Sequence, residues 1–163
     1  MPLALTRIDD RLIHGQVVVG WGSYLKPDRI ILCNDSVASE KWQREMFEFA
    51  KELVTFDLEI SIFTEEATVS YLKRDEFHEE KIFLLVESPH DICSLVDRGA
   101  PIKKVNVGGM HFKTGKSQIA PYIFVDDDDV QSFKTIIENN IKLIGQDVPT
   151  AKKIDITELI YLL

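Results

Sequence analysis

A chain of 163 residues with a net charge of -8, 45% hydrophobic and 28% charged, has the make-up of one soluble globular domain over residues 1–163, long enough to bury a core and short for two. Its acidity excludes a general nucleic-acid binder, which needs clustered Lys and Arg to displace counterions. No stretch reaches the roughly 18 to 20 consecutive apolar residues that span a bilayer, and no basic, apolar and small-residue export signal opens the chain, so the expected location is the cytoplasm.

The first apolar run, Leu3, Leu5 and Ile8, reads as a buried strand and gives way to four charged residues, Arg7, Asp9, Asp10 and Arg11, within five positions. Residues 15 to about 24 follow as a helix, with Val17, Val18 and Trp21 on one face and Trp21 in the core. Pro27 and Asp28 mark a turn, residues 29–33 read as the second strand, and Asn34, Asp35 and Ser36 form a polar corner that caps the next helix. That helix is expected over 39 to about 53, with Trp42, Met46, Phe49 and Leu53 as a buried stripe. Residues 58–63 alternate as a strand. Thr64 caps a helix whose first turn holds Glu65 and Glu66, where the helix dipole favours negative charge. It runs to about 73, and 74–80 reads as a solvated loop carrying His78.

Residues 81–86 form an uninterrupted apolar run, as expected of a central parallel strand covered on both faces. Ser88 and Pro89 open a helix. His90 in its first turn reads as solvent-facing, with a minor site role left open by its place at a strand's carboxyl end. Gly99 stops the helix. Residues 103–107 form the fifth strand and run straight into Gly108 and Gly109. Residues 119–125 are expected as an edge strand interrupted by Pro121. Asp126 to Asp129 read as capping and dipole residues of a helix bearing Val130, Phe133, Ile136 and Ile137, in preference to a metal cluster. A last strand is expected over 141 to about 144, and Asp155 then caps an apolar helix over 156–163. Cys33 and Cys93 sit in apolar segments and read as small hydrophobes, not as a disulfide or metal pair. Strands alternate with helices throughout, which predicts an α/β fold: a doubly wound, mostly parallel open sheet with helices on both faces and an antiparallel edge strand. Ligands of such sheets bind outside the carboxyl ends of the strands, where the strand order reverses.

The loop after the first strand therefore carries the expected chemistry. A helix start offers free N–H groups and the positive end of a dipole to an anion, here around Gly15 and Gln16. His14 stands in that loop with Arg11 three residues before it. A neutral imidazole is nucleophilic near pH 7, and a guanidinium grips phosphate oxygens in a fork. Asp10 could orient the imidazole, cap the helix or restrain an arginine. Gly108 and Gly109, at a second strand's carboxyl end, let the backbone approach a ligand or turn sharply. Arg7, Arg11, Lys113 and Lys116 would form a local basic rim if the fold brings the two stretches together; the part played by His111 beside them is not legible.

The string Arg7-Ile8-Asp9-Asp10-Arg11-Leu12-Ile13-His14-Gly15-Gln16-Val17 closely resembles the signature of the IIB subunits of the mannose/fructose/sorbose family of the bacterial sugar phosphotransferase system. Val105-Asn106-Val107-Gly108-Gly109-Met110 and Phe112-Lys113-Thr114-Gly115-Lys116 resemble that family's second recurring stretch, so the likeness covers nearly the whole chain. The resemblance implies that His14 accepts a phosphoryl group from a IIA subunit or domain and passes it to a sugar held by the membrane subunits IIC and IID. The chain would then sit at the inner face of the membrane. Arg11 would act with His14, and Gly15, Gln16, Asp10, Gly108 and Gly109 would line the phosphate. No cofactor, metal or nucleotide is called for, nucleic acid is not a partner, and a homo-oligomer is compatible with the reading. The alternatives are a hydrolase using His14 as general base, which lacks a supporting metal set or second nucleophile, and a non-catalytic module of the same fold, against which the presence of both His14 and Arg11 argues.

Overall fold

Seven strands form one sheet, in the spatial order Glu59–Phe63, Arg29–Cys33, Ile82–Val86, Leu3–Asp9, Lys104–Gly109, Lys142–Gly145 and Ile154–Asp155. The structure, a computed structural model, describes residues 3–74 and 79–163, so the expected loop carrying His78 falls in part outside the described residues. In chain order the strands are β1 Leu3–Asp9, β2 Arg29–Cys33, β3 Glu59–Phe63, β4 Ile82–Val86, β5 Lys104–Gly109, β8 Lys142–Gly145 and β9 Ile154–Asp155, with β6 Ser117–Ala120 and β7 Ile123–Val125 apart from them. Every ladder of the large sheet is parallel except β8 with β9 at its edge.

The pleat sorts the apolar residues onto two faces. Ile31 and Cys33 of β2 and Ile82, Leu84 and Val86 of β4 face one core, shared with Ile92, Leu95, Phe133, Ile136 and Ile160. Their alternates, Ile30, Leu32, Phe83 and Leu85, face the other, with Ile13, Val17, Val18 and Trp21. All five residues of β4 are buried, as expected of a strand covered on both sides. The helices over the first core are α4 Glu65–Leu72, α5 Pro89–Asp97, α6 Asp127–Glu138 and α7 Ile156–Tyr161; a helical run from Gln16 and the segment after β2 cover the second. β1 and β4 are neighbours whose following connections leave in opposite directions, β1 toward β2 and β4 toward β5. The sheet's switch point thus lies at the carboxyl end of β1.

Side-chain caps start the helices where the sequence places them. Asn34, Thr64, Ser88, Asp126 and Asp155 each accept a hydrogen bond from the backbone N–H three residues on, and Ser88 with Asp91 and Asp126 with Asp129 close reciprocal boxes. Asp129 also pairs with Lys116 at 2.8 Å. Cys33 and Cys93 are free thiols, and burial pushes Cys33 up to about 12.

Three expectations are corrected. The helix expected from 15 to 24 is π-helical over Gln16–Gly22 before the short α1 Ser23–Leu25, a widened turn that buries Val17, Val18, Trp21 and Gly22 together. The single helix expected over 39–53 is three pieces, α2 Asp35–Ser39, α3 Lys41–Glu48 and a 3-10 turn Phe49–Leu53, because Glu40 is extended between the first two. Its stripe of Trp42, Met46, Phe49 and Leu53 is exposed, since the sheet takes the neighbouring face of Phe47, Ala50 and Val54 instead. Residues 119–125 are no edge strand: β6 and β7 make an antiparallel hairpin with Pro121 in its turn, tied to the body through Met110 opposite Ile123.

Candidate active site

The carboxyl end of β1 carries two ionic side chains on one face of the strand, Arg7 and Asp9, both fully buried. Arg7 is held on several sides. Its Nη1 donates to Asn106 Oδ1 and to the Gln146 carbonyl at 2.7 Å, and its Nη2 donates to the Asp147 carbonyl at 2.8 Å and to Asp9 Oδ2 at 3.3 Å. The guanidinium lies 4.9 Å from the centre of the Trp21 ring, whose Nε1 donates to the same Asp147 carbonyl at 2.9 Å. Desolvation lowers the Arg7 pKa against the opposing pull of Asp9.

Room for that guanidinium comes from β5. Arg7 pairs with Asn106 and Ile8 with Val107, but Asp9 pairs with Gly109, so Gly108 is the extra residue of a bulge. A Cβ built on Gly108 would stand 2.0 Å from Arg7 Nη2 and 2.1 Å from Cζ. Gly108 is therefore a housing for Arg7. Gly109 is similarly close-packed, with a Cβ there 3.0 Å from Asp9 Oδ1 and 3.1 Å from His111 Cε1.

Asp9 is the hub of the loop. Its Oδ1 accepts from the backbone N–H of Arg11 at 3.1 Å and from Arg11 Nε at 3.3 Å, and its Oδ2 accepts from Arg11 Nη2 at 3.4 Å. His14 Nε2 points inward, 3.4 Å from Asp9 Oδ2, has no full hydrogen bond among the described residues and is shielded from solvent. Burial alone would raise the Asp9 carboxyl, but His14, Arg11 and the Arg7 charge outweigh it and bring it down to about 2. Asp9 is thus ionised at neutral pH.

The half-buried His14 starts the helix with its carbonyl, which accepts from Val17 and Val18 N–H. Gly15 is exposed, and a Cβ there would meet nothing within 4 Å. Gln16 Oε1 accepts from Arg11 Nη2 at 2.8 Å, so the guanidinium is stretched between Gln16 and Asp9 while remaining exposed. Leu12 between them adopts a left-handed φ of 62°, unusual for a leucine and held by its N–H on the Asp9 carbonyl.

Asp10 has its carboxylate on His111. Its carboxylate accepts from the backbone N–H of His111 at 2.7 Å and lies 2.6 Å from His111 Nδ1. The carboxylate beside the candidate nucleophile is Asp9, not Asp10. The expected rim is also corrected: Arg7 is buried, and Lys116 is largely covered in its pair with Asp129, which leaves Arg11 and Lys113 exposed. Asp10, Lys113 and Lys116 line a small cleft with Glu87, Ser88, Met110 and Asp129. His90 is exposed on α5.

An imidazole and a forked guanidinium that share one ionised carboxylate, at the switch point of a doubly wound sheet, make an arrangement chemically suited to an anion such as a phosphoryl group. The family model described as the PTS system sorbose subfamily IIB component matches residues 3–162. The N-acetylgalactosamine-specific phosphotransferase enzyme IIB component 1 of Escherichia coli is 37% identical over 151 residues, covering 93% of this chain and 94% of that one. The IIBSor domain of the sorbose permease from Klebsiella pneumoniae superposes with a TM-score of 0.90 at 31% identity, over 99% of this chain and 98% of that one. The mannose-specific EIIAB component of Escherichia coli is 32% identical over 160 residues, 98% of this chain and 49% of that protein. The chain belongs to the sorbose-subfamily IIB components of the sugar phosphotransferase system. Such components are phosphotransferases that receive a phosphoryl group from IIA and pass it to sugar. Among the described residues no helix is long and apolar enough to cross a membrane.

Proposed function

We propose that His14 is the phosphoryl carrier and that Nδ1 is the atom that carries the group. The observation behind this is the inward Nε2, shielded from solvent and 3.4 Å from the ionised Asp9. A carboxylate in that position keeps the imidazole proton on Nε2, so the lone pair is on Nδ1. Asp9 also stabilises the charge that spreads over the ring as the N–P bond forms. Transfer breaks the N–P bond of the IIA phosphohistidine as the bond to Nδ1 forms, and the step depends on positioning and charge neutralisation. Arg11 serves as the clamp: its exposed guanidinium, held between Asp9 and Gln16, takes up phosphate oxygens. N–H groups at Gly15 and Gln16 donate to the same oxygens, and the open space at Gly15 admits the partner's phosphohistidine. Asp10 and Gly109 act at one remove by fixing His111 and Asp9.

The donor is a IIA subunit or domain, and the acceptor is a sugar hydroxyl presented by IIC and IID, which places the chain at the cytoplasmic face of the membrane. Relatives named for N-acetylgalactosamine, sorbose, fructose and mannose match at 31% to 37% identity, so overall identity does not select the sugar. Incubation with phosphorylated IIA tests the reading. Wild type takes up one acid-labile phosphoryl group per chain, and His14→Ala takes up none while keeping its fold. Label on His14→Ala at the wild-type level refutes the assignment, and free phosphate in place of bound label favours the hydrolase.

A further inference from the structure

Trp42, Met46, Phe49 and Leu53 are 62%, 53%, 72% and 57% exposed, spaced four, three and four residues apart along α3 and the 3-10 turn. Each residue one position later, Gln43, Phe47, Ala50 and Val54, is half-buried, and the last three pack on the core. Each residue one position earlier, Lys41, Glu45, Glu48 and Glu52, is exposed and charged, with Lys41 3.8 Å from Glu45. The segment thus carries three adjacent strips: one seated on the body, one apolar and uncovered, and one predominantly acidic bordering it. α3 packs over β3, at the edge of the sheet three strands from β1 and the His14 loop.

Large apolar side chains left more than half open each present on the order of 100 Å², so the strip offers about 400–500 Å², the size of patch that marks a binding surface. Two copies joined through it would bury less than about 1,000 Å² in total, short of the roughly 1,200 Å² of stable association. A two-fold antiparallel pairing would also set Glu45, Glu48 and Glu52 of one copy against those of the other, where like charges repel. The same border disfavours an anionic lipid surface. What matches the spacing and the charge is a single amphipathic helix with an apolar stripe flanked by Lys or Arg. Cytoplasmic segments of membrane proteins carry that excess of Lys and Arg.

We propose that the strip from Trp42 to Leu53 docks a basic amphipathic helix on the cytoplasmic side of the membrane subunits. This rests on the reading of the chain as a carrier between IIA and IIC with IID. Docking at a distance from His14 raises the effective concentration of the phosphorylated loop at the membrane and leaves that loop free to meet IIA.

Sedimentation with membrane vesicles bearing the IIC and IID subunits, against protein-free vesicles of the same lipids, tests the proposal with the full chain. Wild type co-sediments only with the subunit-bearing vesicles. Trp42→Ser with Phe49→Ser weakens that binding by about tenfold or more, as does Glu48→Lys with Glu52→Lys, and sugar phosphorylation at limiting carrier falls in parallel. All variants accept label from phosphorylated IIA at the wild-type rate, which separates this proposal from the assignment of His14: failure of acceptance in wild type overturns that assignment instead. Unchanged vesicle binding by the variants, no preference of wild type for subunit-bearing vesicles, or a solution dimer that Trp42→Ser with Phe49→Ser dissolves overturns the docking site.

Discussion

Gly108→Ala puts the smallest side chain at the point where the two sequence motifs meet. The new Cβ would stand 2.0 Å from Arg7 Nη2, 2.1 Å from Cζ and 2.6 Å from Nε. Ordinary contact needs about 3.5 Å, so the guanidinium would have to retreat by roughly 1.5 Å. Arg7 is fully buried with Trp21 across its plane, and it has no solvent to retreat into. A shift of that size takes Nη1 out of range of the Gln146 carbonyl at 2.7 Å and Nη2 out of range of the Asp147 carbonyl at 2.8 Å. Each such charge-assisted bond is worth about 1.5–3 kcal/mol, and a buried ion left with an impaired partner costs about 3–5 kcal/mol. The expected destabilisation is therefore about 3–5 kcal/mol, read as a lowered midpoint in urea with an unchanged slope. The same substitution in an Arg7→Ala background meets no guanidinium and should cost under about 1 kcal/mol more, so the cycle returns a coupling of at least about 2 kcal/mol. A loss below about 1 kcal/mol from Gly108→Ala alone, or equal losses in both backgrounds, would refute the account of Gly108 as the housing of Arg7.

The Asp9 carboxyl, held at about 2, has a folded pKa below its ordinary value near 4. It contributes stability that is present above about pH 4 and lost as pH falls through about 2. Wild type should exceed Asp9→Asn by about 2 kcal/mol near neutrality, with the difference closing between those limits in unfolding curves taken across pH; a constant difference down to about pH 2 would contradict the low value. Arg11→Lys should slow acceptance from phosphorylated IIA by about ten- to a hundredfold in rapid-quench measurements, because one ammonium cannot replace the fork between Asp9, Gln16 and phosphate; a wild-type rate would remove Arg11 from the clamp. Lys113→Glu should slow the same step at low salt and have less effect as the Debye length shortens below about 8 Å, and indifference to both salt and charge reversal would exclude steering from that side.

Most of the fold was legible because local chemistry and tertiary need agree over most of the chain. Continuous apolar runs such as Ile82–Val86 can satisfy both faces of a sheet only in its interior, and Thr64, Ser88, Asp126 and Asp155 satisfy orphan N–H groups at the starts of α4, α5, α6 and α7. Legibility ended where two local solutions compete. Between Lys41 and Val54 the residues at 42, 46, 49 and 53 and those at 43, 47, 50 and 54 keep the same spacing one position apart, and the first set is the more apolar. Periodicity therefore selects the wrong face, because the body is chosen by the short connection out of α2 and by the space beside β3, neither of which is local. Pro121 likewise read as an interruption of one strand, whereas the hairpin is set by pairing of Gln118 with Phe124, a contact that appears only once the chain has turned.

The site divides along the same line. As candidates, His14 and Arg11 were legible because each stands in a loop, where an imidazole and a forked cation have no packing reason to be together, and the structure sets both against Asp9. Arg7 and Asp9 were not, because charge was read as a mark of exposure. The pleat alone places both on one face of β1, two residues apart, and pairing with β5 brings Asn106 and Gly108 against them. A buried arginine needs acceptors at a fixed distance, a missing side chain beside it and a counter-charge, and the two motifs supply these separately: the carboxylate of Asp9 in one, the amide of Asn106 and the bulged glycine in the other. The second motif therefore reaches the imidazole through Arg7, and through Gly109 where it packs on Asp9. It holds the cation that helps keep Asp9 ionised, and Asp9 in turn faces Nε2 of His14, so Gly108→Ala should slow label acceptance from phosphorylated IIA as well as lower stability, and a wild-type acceptance rate in a destabilised variant would separate the housing of Arg7 from the chemistry.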